Sequence, residues 1–372
     1  MNPSPIPTVD VATLRNWLDI GKPLSVVDVR SLDQRQEWSI PESIHADVYE
    51  QLKAGDIHAL SNLELPVDKP VVTVCGAGIM SMRAAEQLQA QGYTVYSLEG
   101  GMQAWSAAWN TAYIPTNNPD LTILQIRRTG KGCLSYLVAS QGEALVIDAS
   151  LDERVYIGLA IKHGWQIRYV LDTHLHADHL SRSQGLARQT NSQLLLPESE
   201  KFQFPYKAID EHTTFTLGAT TLQVIPTPGH TLESVCYHID NEHLFTGDTL
   251  FIDSVGRPDL KASASELMLK ASRLYHSIHK LLALPALTQV MPGHTSRPVA
   301  FDQKPLLTTI GELSQSVPLL SLEETDFIDY LLDRIPPTPP NYLVISEINS
   351  SGDFTSVDPA EVEAGANRCA IR

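Results

Sequence analysis

Apolar runs of strand length alternate with amphipathic stretches along the first third of the chain. Residues 24–29, 71–75 and 94–98 are the strand-like runs, and 71–75 is continuously apolar, as a strand buried on both faces requires. Between them the spacing becomes helical. Residues 10–21 place Val11, Leu14, Trp17 and Leu18 on one side and stop at Gly21, and residues 82–91 close at Gly92. A Trp-containing helix is expected after Gly100-Gly101. This alternation predicts a parallel α/β sheet. The polar, Pro-containing stretch 113–120 then interrupts the pattern. It predicts a first domain over 1–112, a linker over 113–120 and a second domain over 121–372.

The second domain opens with strands expected at 121–126, 133–139 and 144–147, followed by a helix over 154–163. Tyr169-Val170-Leu171 reads as a buried strand, and strands recur at 193–196, 221–225, 235–239 and 243–246. A long amphipathic helix is expected over 265–282 and a last strand over 287–291. The tail holds the Pro cluster 336–340, which is expected to be extended rather than helical.

Composition narrows the class. With 43% hydrophobic and 19% charged residues, the 372-residue chain has the make-up of an ordinary globular protein with a sizeable core. A net charge of −16 argues against nucleic acid or an anionic membrane as partner. No apolar run approaches the roughly 18 residues of a membrane helix. The first ten residues have neither the basic start nor the apolar run of a secretory signal. The scattered cysteines Cys75, Cys133, Cys236 and Cys369 do not form a disulfide framework, so a reducing cytoplasm is expected. Homo-oligomerisation is left open.

The candidate chemistry starts where the Tyr169-Val170-Leu171 strand ends. Thr173-His174-Leu175-His176-Ala177-Asp178-His179 packs three imidazoles and a carboxylate into six residues. Such donors suit zinc or iron(II). In an extended segment His174 and His176 would share one side, since side chains alternate. Three further stretches offer ligands at predicted strand ends: Pro228-Gly229-His230, Gly247-Asp248 and Pro292-Gly293-His294. Glycine beside a ligand lets the backbone turn and approach a site.

Over residues 121–300 these motifs, in this order, resemble the metallo-β-lactamase fold, which implies an αββα sandwich with the metal at one edge of the paired sheets. In its two-metal hydrolases, such as glyoxalase II, the residues matching His174, His176, His230 and Asp248 hold one ion. Those matching Asp178, His179, Asp248 and His294 hold the other. A narrower resemblance is to the persulfide dioxygenases, the ethylmalonic-encephalopathy protein family. It rests on Cys133-Leu134-Ser135-Tyr136-Leu137, Thr173 to His179, Pro228-Gly229-His230-Thr231, Thr246-Gly247-Asp248, Gly256-Arg257-Pro258-Asp259 and Ala366-Asn367-Arg368-Cys369. Glyoxalase II ends differently. The resemblance implies one iron(II) per chain, with zinc as the alternative, held by His174, His230 and Asp248. His176, Asp178, His179 and His294 would then orient ligands and waters, or hold a second metal. Arg257 would meet a substrate carboxylate, its planar fork suiting bidentate pairing, or pair with Asp259. Thr295 and Ser296 stand where eukaryotic members carry Asp-Tyr, so glutathione persulfide and other small persulfides both remain open as substrates, with O₂ as co-substrate.

Cys75 ends the apolar run 71–75, and a helix is expected to begin six residues later. Inward-pointing amides of such a loop, facing a helix N-terminus, favour an anionic sulfur. Cys75, Gly76, Gly78 and Ser81 resemble the Cys-x-x-Gly-x-x-Ser loop of the rhodaneses (sulfurtransferases). Asp28-Val29-Arg30, Ile40-Pro41, Ile44-His45-Ala46, Leu98-Glu99-Gly100-Gly101-Met102 and Trp105 match the same family over residues 8–112. Met80 stands where rhodaneses often place Arg. A phosphatase of that fold would need Cys-x₅-Arg, and position 81 is Ser. The resemblance makes Cys75 the nucleophile, with Gly76, Gly78 and Ser81 binding a persulfide, thiosulfate or sulfite. The expected whole is a rhodanese-like α/β domain followed by a metallo-β-lactamase αββα sandwich: a persulfide dioxygenase coupled to sulfur transfer. The alternative is a two-metal thioester hydrolase with a non-catalytic N-terminal module.

Overall fold

The computed structural model describes residues 5–339, 341–355, 357–363 and 368–371. Pro340, Ala366 and Asn367, singled out above, lie outside these. The N-terminal sheet is five-stranded, in the order Thr8–Val9, Val95–Leu98, Val71–Val74, Ser25–Asp28 and Ile44–His45. Every pairing in it is parallel. Alternate side chains of its strands feed two separate cores. Val72 and Val74 pack with Leu14 and Trp105 on one face, while Val71 and Cys75 pack with Ala84 and Leu88 on the other. A sheet covered on both faces needs a strand apolar on both sides, and 71–74 is apolar but for Thr73, whose buried hydroxyl donates to the Ser81 carbonyl at 2.8 Å. The helix Ile79–Ala90 starts three residues earlier than the sequence pattern places it, with Gly78 as its N-cap at φ 90°.

Two larger sheets form the second unit. The first, seven-stranded, runs Lys207–Ile209, Gln193–Pro197, Gln166–Leu171, Glu143–Ile147, Leu134–Ser140, Leu121–Arg127, Asn110–Ile114. The second, six-stranded, runs Thr214–Leu217, Thr220–Pro226, Val235–Ile239, His243–Gly247, Gln289–Pro292, Thr308–Thr309. Ile123, Leu145 and Leu171 of one sheet interlock with Leu222, Tyr237, Phe245 and Met291 of the other. The outer face of the first is covered by the helices Glu153–His163 and Ser183–Thr190, through Tyr156, Ala160, Leu186 and Ala187. Ala271, Leu274, Ile278 and Leu281 of the helix Ala264–Leu282 cover the second. That layering is the αββα sandwich, preceded by a rhodanese-like α/β domain.

One expectation needs correction here. Asn110–Ile114 pairs antiparallel with Leu121–Arg127, so residues 113 and 114 are strand rather than linker. Its buried positions alternate, but five residues with Asn, Thr and Tyr among them give too short a signal to stand out. Helices at Ile310–Ser316, Glu324–Asp333 and Tyr342–Ser351 follow the last pairings, on either side of the Pro cluster. Pro336 and Pro337 lie outside helix and strand, as expected.

The two units meet along residues 128–132. Trp38 Nε1 donates to the Thr129 carbonyl at 2.9 Å, and Arg128 Nε donates to that of Ser106 at 2.7 Å. Among the described residues no helix is long and apolar enough to cross a membrane.

Candidate metal centre and cysteine loop

The strand Gln166–Leu171 delivers the histidine-rich segment to the edge of the sandwich. Asp148, at the end of the neighbouring strand, receives it: Thr173 N donates to Asp148 Oδ1 at 2.7 Å, and Thr173 Oγ1 donates to Oδ2 at 2.9 Å. With its proton committed to Asp148, Thr173 Oγ1 accepts from Nδ1–H of His174 at 2.9 Å. The Nε2 lone pair of His174 is thereby aimed inward. His230 is fixed the same way, its Nδ1–H donating to the Arg257 carbonyl at 2.7 Å. Asp248 follows the strand His243–Gly247. Gly247 sits at φ 49°, and a Cβ there would stand 2.4 Å from Thr173 Oγ1, so only glycine lets the two ligand-bearing strand ends approach.

Asp248 Oδ2 lies 3.7 Å from His230 Nε2 and 3.9 Å from His174 Nε2. These distances are too long for hydrogen bonds. They suit donors sharing one ion, since ligands each about 2.0–2.2 Å from a metal are at most about 4.4 Å apart. His174 Nε2 and Asp248 Oδ2 are buried and have no hydrogen-bond partner, so the donor set fits a metal ion.

His176 does not join this group, although alternation in an extended segment would place it beside His174. The strand ends at Leu171 and the segment beyond bends repeatedly. His176 Nε2 instead contacts Asp148 Oδ1 at 3.1 Å, with Asp172 at 3.9 Å. Asp178 pairs with His179 at 3.1 Å and with His294 Nε2 at 2.8 Å, and Cys133 Sγ lies 3.6 Å from its Oδ2. Cys133, Asp178, His179 and His294 form a second buried group with ligand atoms within 4.8 Å of one another.

Electrostatics separates the two groups. Burial, with His176 adding to it, pushes His174 well below its ordinary pKa. Burial likewise lowers His230, against the pull of Asp248. Both are therefore neutral donors, the form a metal takes. Burial would raise Asp248, but the imidazoles of His294, His174 and His230 hold it well below the carboxylate range. In the second group, burial opposes but Asp178 prevails: His179 is raised to about 10 and His294 well above its ordinary value. Asp178 thus favours the protonated form of both. Cys133 is brought down to about 6: burial and Asp178 raise it, but His179 and His294 outweigh them.

Arg257 takes the second of its two expected partners, Asp259. It is fully buried, its Nε and Nη2 pair with Asp259 at 2.7 Å each, and its remaining donors reach the carbonyls of Pro336, Pro337 and Arg368. The guanidinium ties the tail to the site, and the backbone carbonyl orients His230. Sequence reasoning missed Asp148 and Asp172, which hold the histidine segment. It also missed Asn349, whose Nδ2 donates to the carbonyls of His176 and His179 at 2.9 and 2.7 Å. A single Asn on a distant helix carries no local signal.

In the first unit Cys75 follows the central strand Val71–Val74, and Gly78 N donates to its Sγ at 3.2 Å. Gly101, at φ 56°, packs so closely that a Cβ would lie 2.3 Å from the Cys75 carbonyl oxygen. Ser81 does not line the loop mouth. It is buried in the first turn of the helix, accepting from Ser97 Oγ at 2.9 Å and lying 3.5 Å from Cys75 Sγ, so it positions the thiol rather than touching a ligand. Gly76 and Gly78 remain partly exposed beside Cys75.

The comparisons with known proteins follow these two sites. Residues 128–294 match the metallo-beta-lactamase superfamily and residues 10–108 match the rhodanese-like domain. Hydroxyacylglutathione hydrolases of Rhizobium johnstonii and Mesorhizobium japonicum are 34% and 36% identical over 41% of this chain. The chain spans 57% and 58% of their lengths. A metallo-beta-lactamase from Staphylococcus aureus is a structural neighbour with TM-score 0.59 and 26% identity, over 64% of this chain and 75% of that one. ETHE1 from Myxococcus xanthus gives TM-score 0.54 and 26% identity, over 61% of this chain and 97% of that one.

Proposed function

We propose that the chain oxidises a small persulfide with O₂ at a single iron(II) held by His174, His230 and Asp248, and that Cys75 transfers sulfane sulfur in the rhodanese-like domain. The observation that carries this is the division of the histidines. His174 and His230 both turn Nε2 toward Asp248 Oδ2, whereas His179 Nδ1 and His294 Nε2 are turned to Asp178. Two imidazoles and one carboxylate leave an iron(II) open positions for a substrate sulfur and O₂. The likeness to ETHE1 supports the same reading, through the resemblance to the ethylmalonic-encephalopathy protein family.

The protein's part is to orient and to hold protons. Thr173 and the Arg257 carbonyl fix the tautomers of His174 and His230. His294 binds Asp248 Oδ1 through Nδ1 and keeps that carboxylate ionised. The reaction balances as R–S–SH + O₂ + H₂O → R–SH + H₂SO₃. In the first domain, a persulfide on Cys75 passes its outer sulfur to sulfite. The Cys75 S–S bond breaks, the S–S bond of thiosulfate forms, and the Cys75 thiolate is released.

A second reading, a two-metal thioester hydrolase, is favoured by the relatives named hydroxyacylglutathione hydrolase and by the group Cys133, Asp178, His179 and His294. Metal analysis of the purified protein, with O₂ uptake on glutathione persulfide and turnover of a glutathione thioester, decides between them. One iron per chain with O₂ uptake is the expected result. Two zinc ions with thioester turnover and no O₂ uptake would overturn it.

A further inference from the structure

The segment that leaves the metal centre after His294 runs to the first unit. Residues 295–300 form no helix or strand, so their course is set by what they are pinned to. Thr295 N donates to the Gly132 carbonyl at 2.9 Å, next to the isolated β-bridge that pairs His294 with Cys133. The Val299 carbonyl accepts from Thr129 Oγ1 at 2.5 Å, and the Ala300 carbonyl from Asn110 Nδ2 at 2.9 Å. Phe301 then packs against the apolar core of the first unit, which includes Ile40, Val72 and Trp105. Its ring centroid lies 6.2 Å from that of Trp105.

The first unit reaches the same place from its own side. Trp38 is buried, and its carbonyl accepts from Arg30 Nη2 at 2.6 Å. Arg30 is in turn held by Asp28, at the end of the strand Ser25–Asp28. Gly132 sits at φ 101°, where a Cβ would stand 2.5 Å from the Thr295 carbonyl oxygen and 3.0 Å from Trp38 Cη2. The turn 128–132 is thus wedged between an indole of the first unit and the backbone that follows His294. His294 depends on how that backbone is held. Both its ring nitrogens are in use, Nδ1 on Asp248 Oδ1 and Nε2 on Asp178 Oδ2. Ahead of it, Gly293 is fixed inside the second unit, by Gly247 and Leu134. Behind it, the fixed points are Gly132, backed by Trp38, and Phe301.

We propose that Trp38 and Phe301 are positioning residues of the metal centre: through them the first unit fixes the segment after His294, and with it the Asp248 carboxylate. The inference rests on His174, His230 and Asp248 as a metal-binding set. It requires no choice between one ion and two, since His294 either supports a ligand or is one. A ligand set stays in place when the residues behind it are locked by packing and hydrogen bonds. Two rigid aromatic rings set across the junction supply that lock, because a close-packed interior transmits displacement rather than absorbing it. The N-terminal unit thereby has a role at the metal that does not pass through Cys75.

Cobalt(II) tests this without turnover. The full-length protein is loaded with cobalt(II), whose visible absorption bands follow ligand geometry, and competition with a chromophoric chelator gives the affinity. Phe301→Ala should shift the bands and weaken cobalt binding by roughly tenfold or more, the scale on which lost ligand support acts. Phe301→Leu keeps apolar bulk at the junction and should restore most of both. Trp38→Phe removes the donor to Thr129 and shortens the ring at Gly132, and should move both readings the same way by less. Leu14→Ala opens a cavity in the same core from the helix Val11–Asp19. It should lower the unfolding temperature and leave affinity and spectrum at parent values. Parent values in Phe301→Ala or in Trp38→Phe, or a change in Leu14→Ala equal to that in Phe301→Ala, overturns the proposal. Should Phe301→Ala not fold, Trp38→Phe decides by the same two readings. A parent that binds no cobalt overturns this proposal and the metal centre together. Cobalt binding that responds to Phe301 and Trp38 in a protein without O₂ uptake keeps the proposal and removes the dioxygenase reading alone.

Discussion

Asp248 and His294 share a short hydrogen bond between Oδ1 and Nδ1, which leaves Oδ2 facing His174 and His230. One carboxylate is thus split between a supporting imidazole and the metal position. Asp248→Ala removes the only carboxylate of the ligand set and should abolish metal binding. His294→Ala should retain the ion but weaken it by roughly 10- to 100-fold, the usual effect of losing a group that orients a ligand. Competition with a chromophoric chelator measures both. Equal losses in the two variants would make His294 a ligand in its own right and favour the two-metal reading.

Cys75→Ser separates the two halves of the proposed chemistry. The variant should take up O₂ with glutathione persulfide at the parent rate and fail to do so when given thiosulfate plus glutathione. Met80, buried in the first helical turn, supplies no charge for thiosulfate, so the direction from persulfide to sulfite is the better supported half. An unchanged ratio of sulfite to thiosulfate, together with no O₂ uptake on thiosulfate by the parent, would reduce the N-terminal unit to a binding module.

Asn349 fastens the metal-ligand segment to the C-terminal helix through the carbonyls of His176 and His179, and its Oδ1 accepts from Ser181 N at 2.9 Å. Asn349→Ala leaves two buried carbonyls and the half-buried Ser181 N–H without this partner, at about 1–3 kcal/mol for each buried group left unsatisfied. Thermal unfolding should shift down and metal affinity should fall, although residue 349 touches no ligand atom. Unchanged metal affinity in a destabilised Asn349→Ala would show that the clamp serves the fold alone.

The parts of this site visible in the sequence are those whose chemistry is local. The donors of the His174 to His179 segment announce themselves by density, and His230, Asp248 and His294 by following apolar runs with a glycine alongside. Partner choice was not legible. His176 turns to Asp148 because the strand stops at Leu171, and strand ends are set by pairing with neighbours rather than by the residues themselves. Arg257 shows the same limit. Its sequence neighbour Asp259 suggested an ion pair, but the carbonyls of Pro336, Pro337 and Arg368 that complete its burial come from elements some 80 to 110 residues away. The covered rhodanese-like sheet was readable for the opposite reason: residues 71–74 are buried on both faces, and that leaves a run broken only by Thr73.

Glu363 is almost fully buried, accepts from Leu180 N at 2.6 Å and from Arg128 Nη2 at 2.9 Å, and lies 3.7 Å from Arg182. Arg128 in turn holds the carbonyls of Ser106 in the first unit and Ser150 in the second. One carboxylate therefore neutralises the guanidinium at the junction of both units and the tail. Burial alone would raise the Glu363 pKa, but Arg128, with Arg182 and Lys131, lowers it overall. A carboxyl depressed in the folded state contributes stability that is present above its unfolded pKa of about 4.3. That contribution is lost as pH falls through the folded value. Glu363→Gln leaves Arg128 buried without its counter-charge, which should cost about 3–5 kcal/mol at pH 7. Denaturant unfolding of parent and variant should show this gap constant above about pH 5 and closing below it, as the parent carboxyl is itself protonated. A gap that stays constant down to pH 3, or that widens, would show that the loss comes from packing and not from the ion pair.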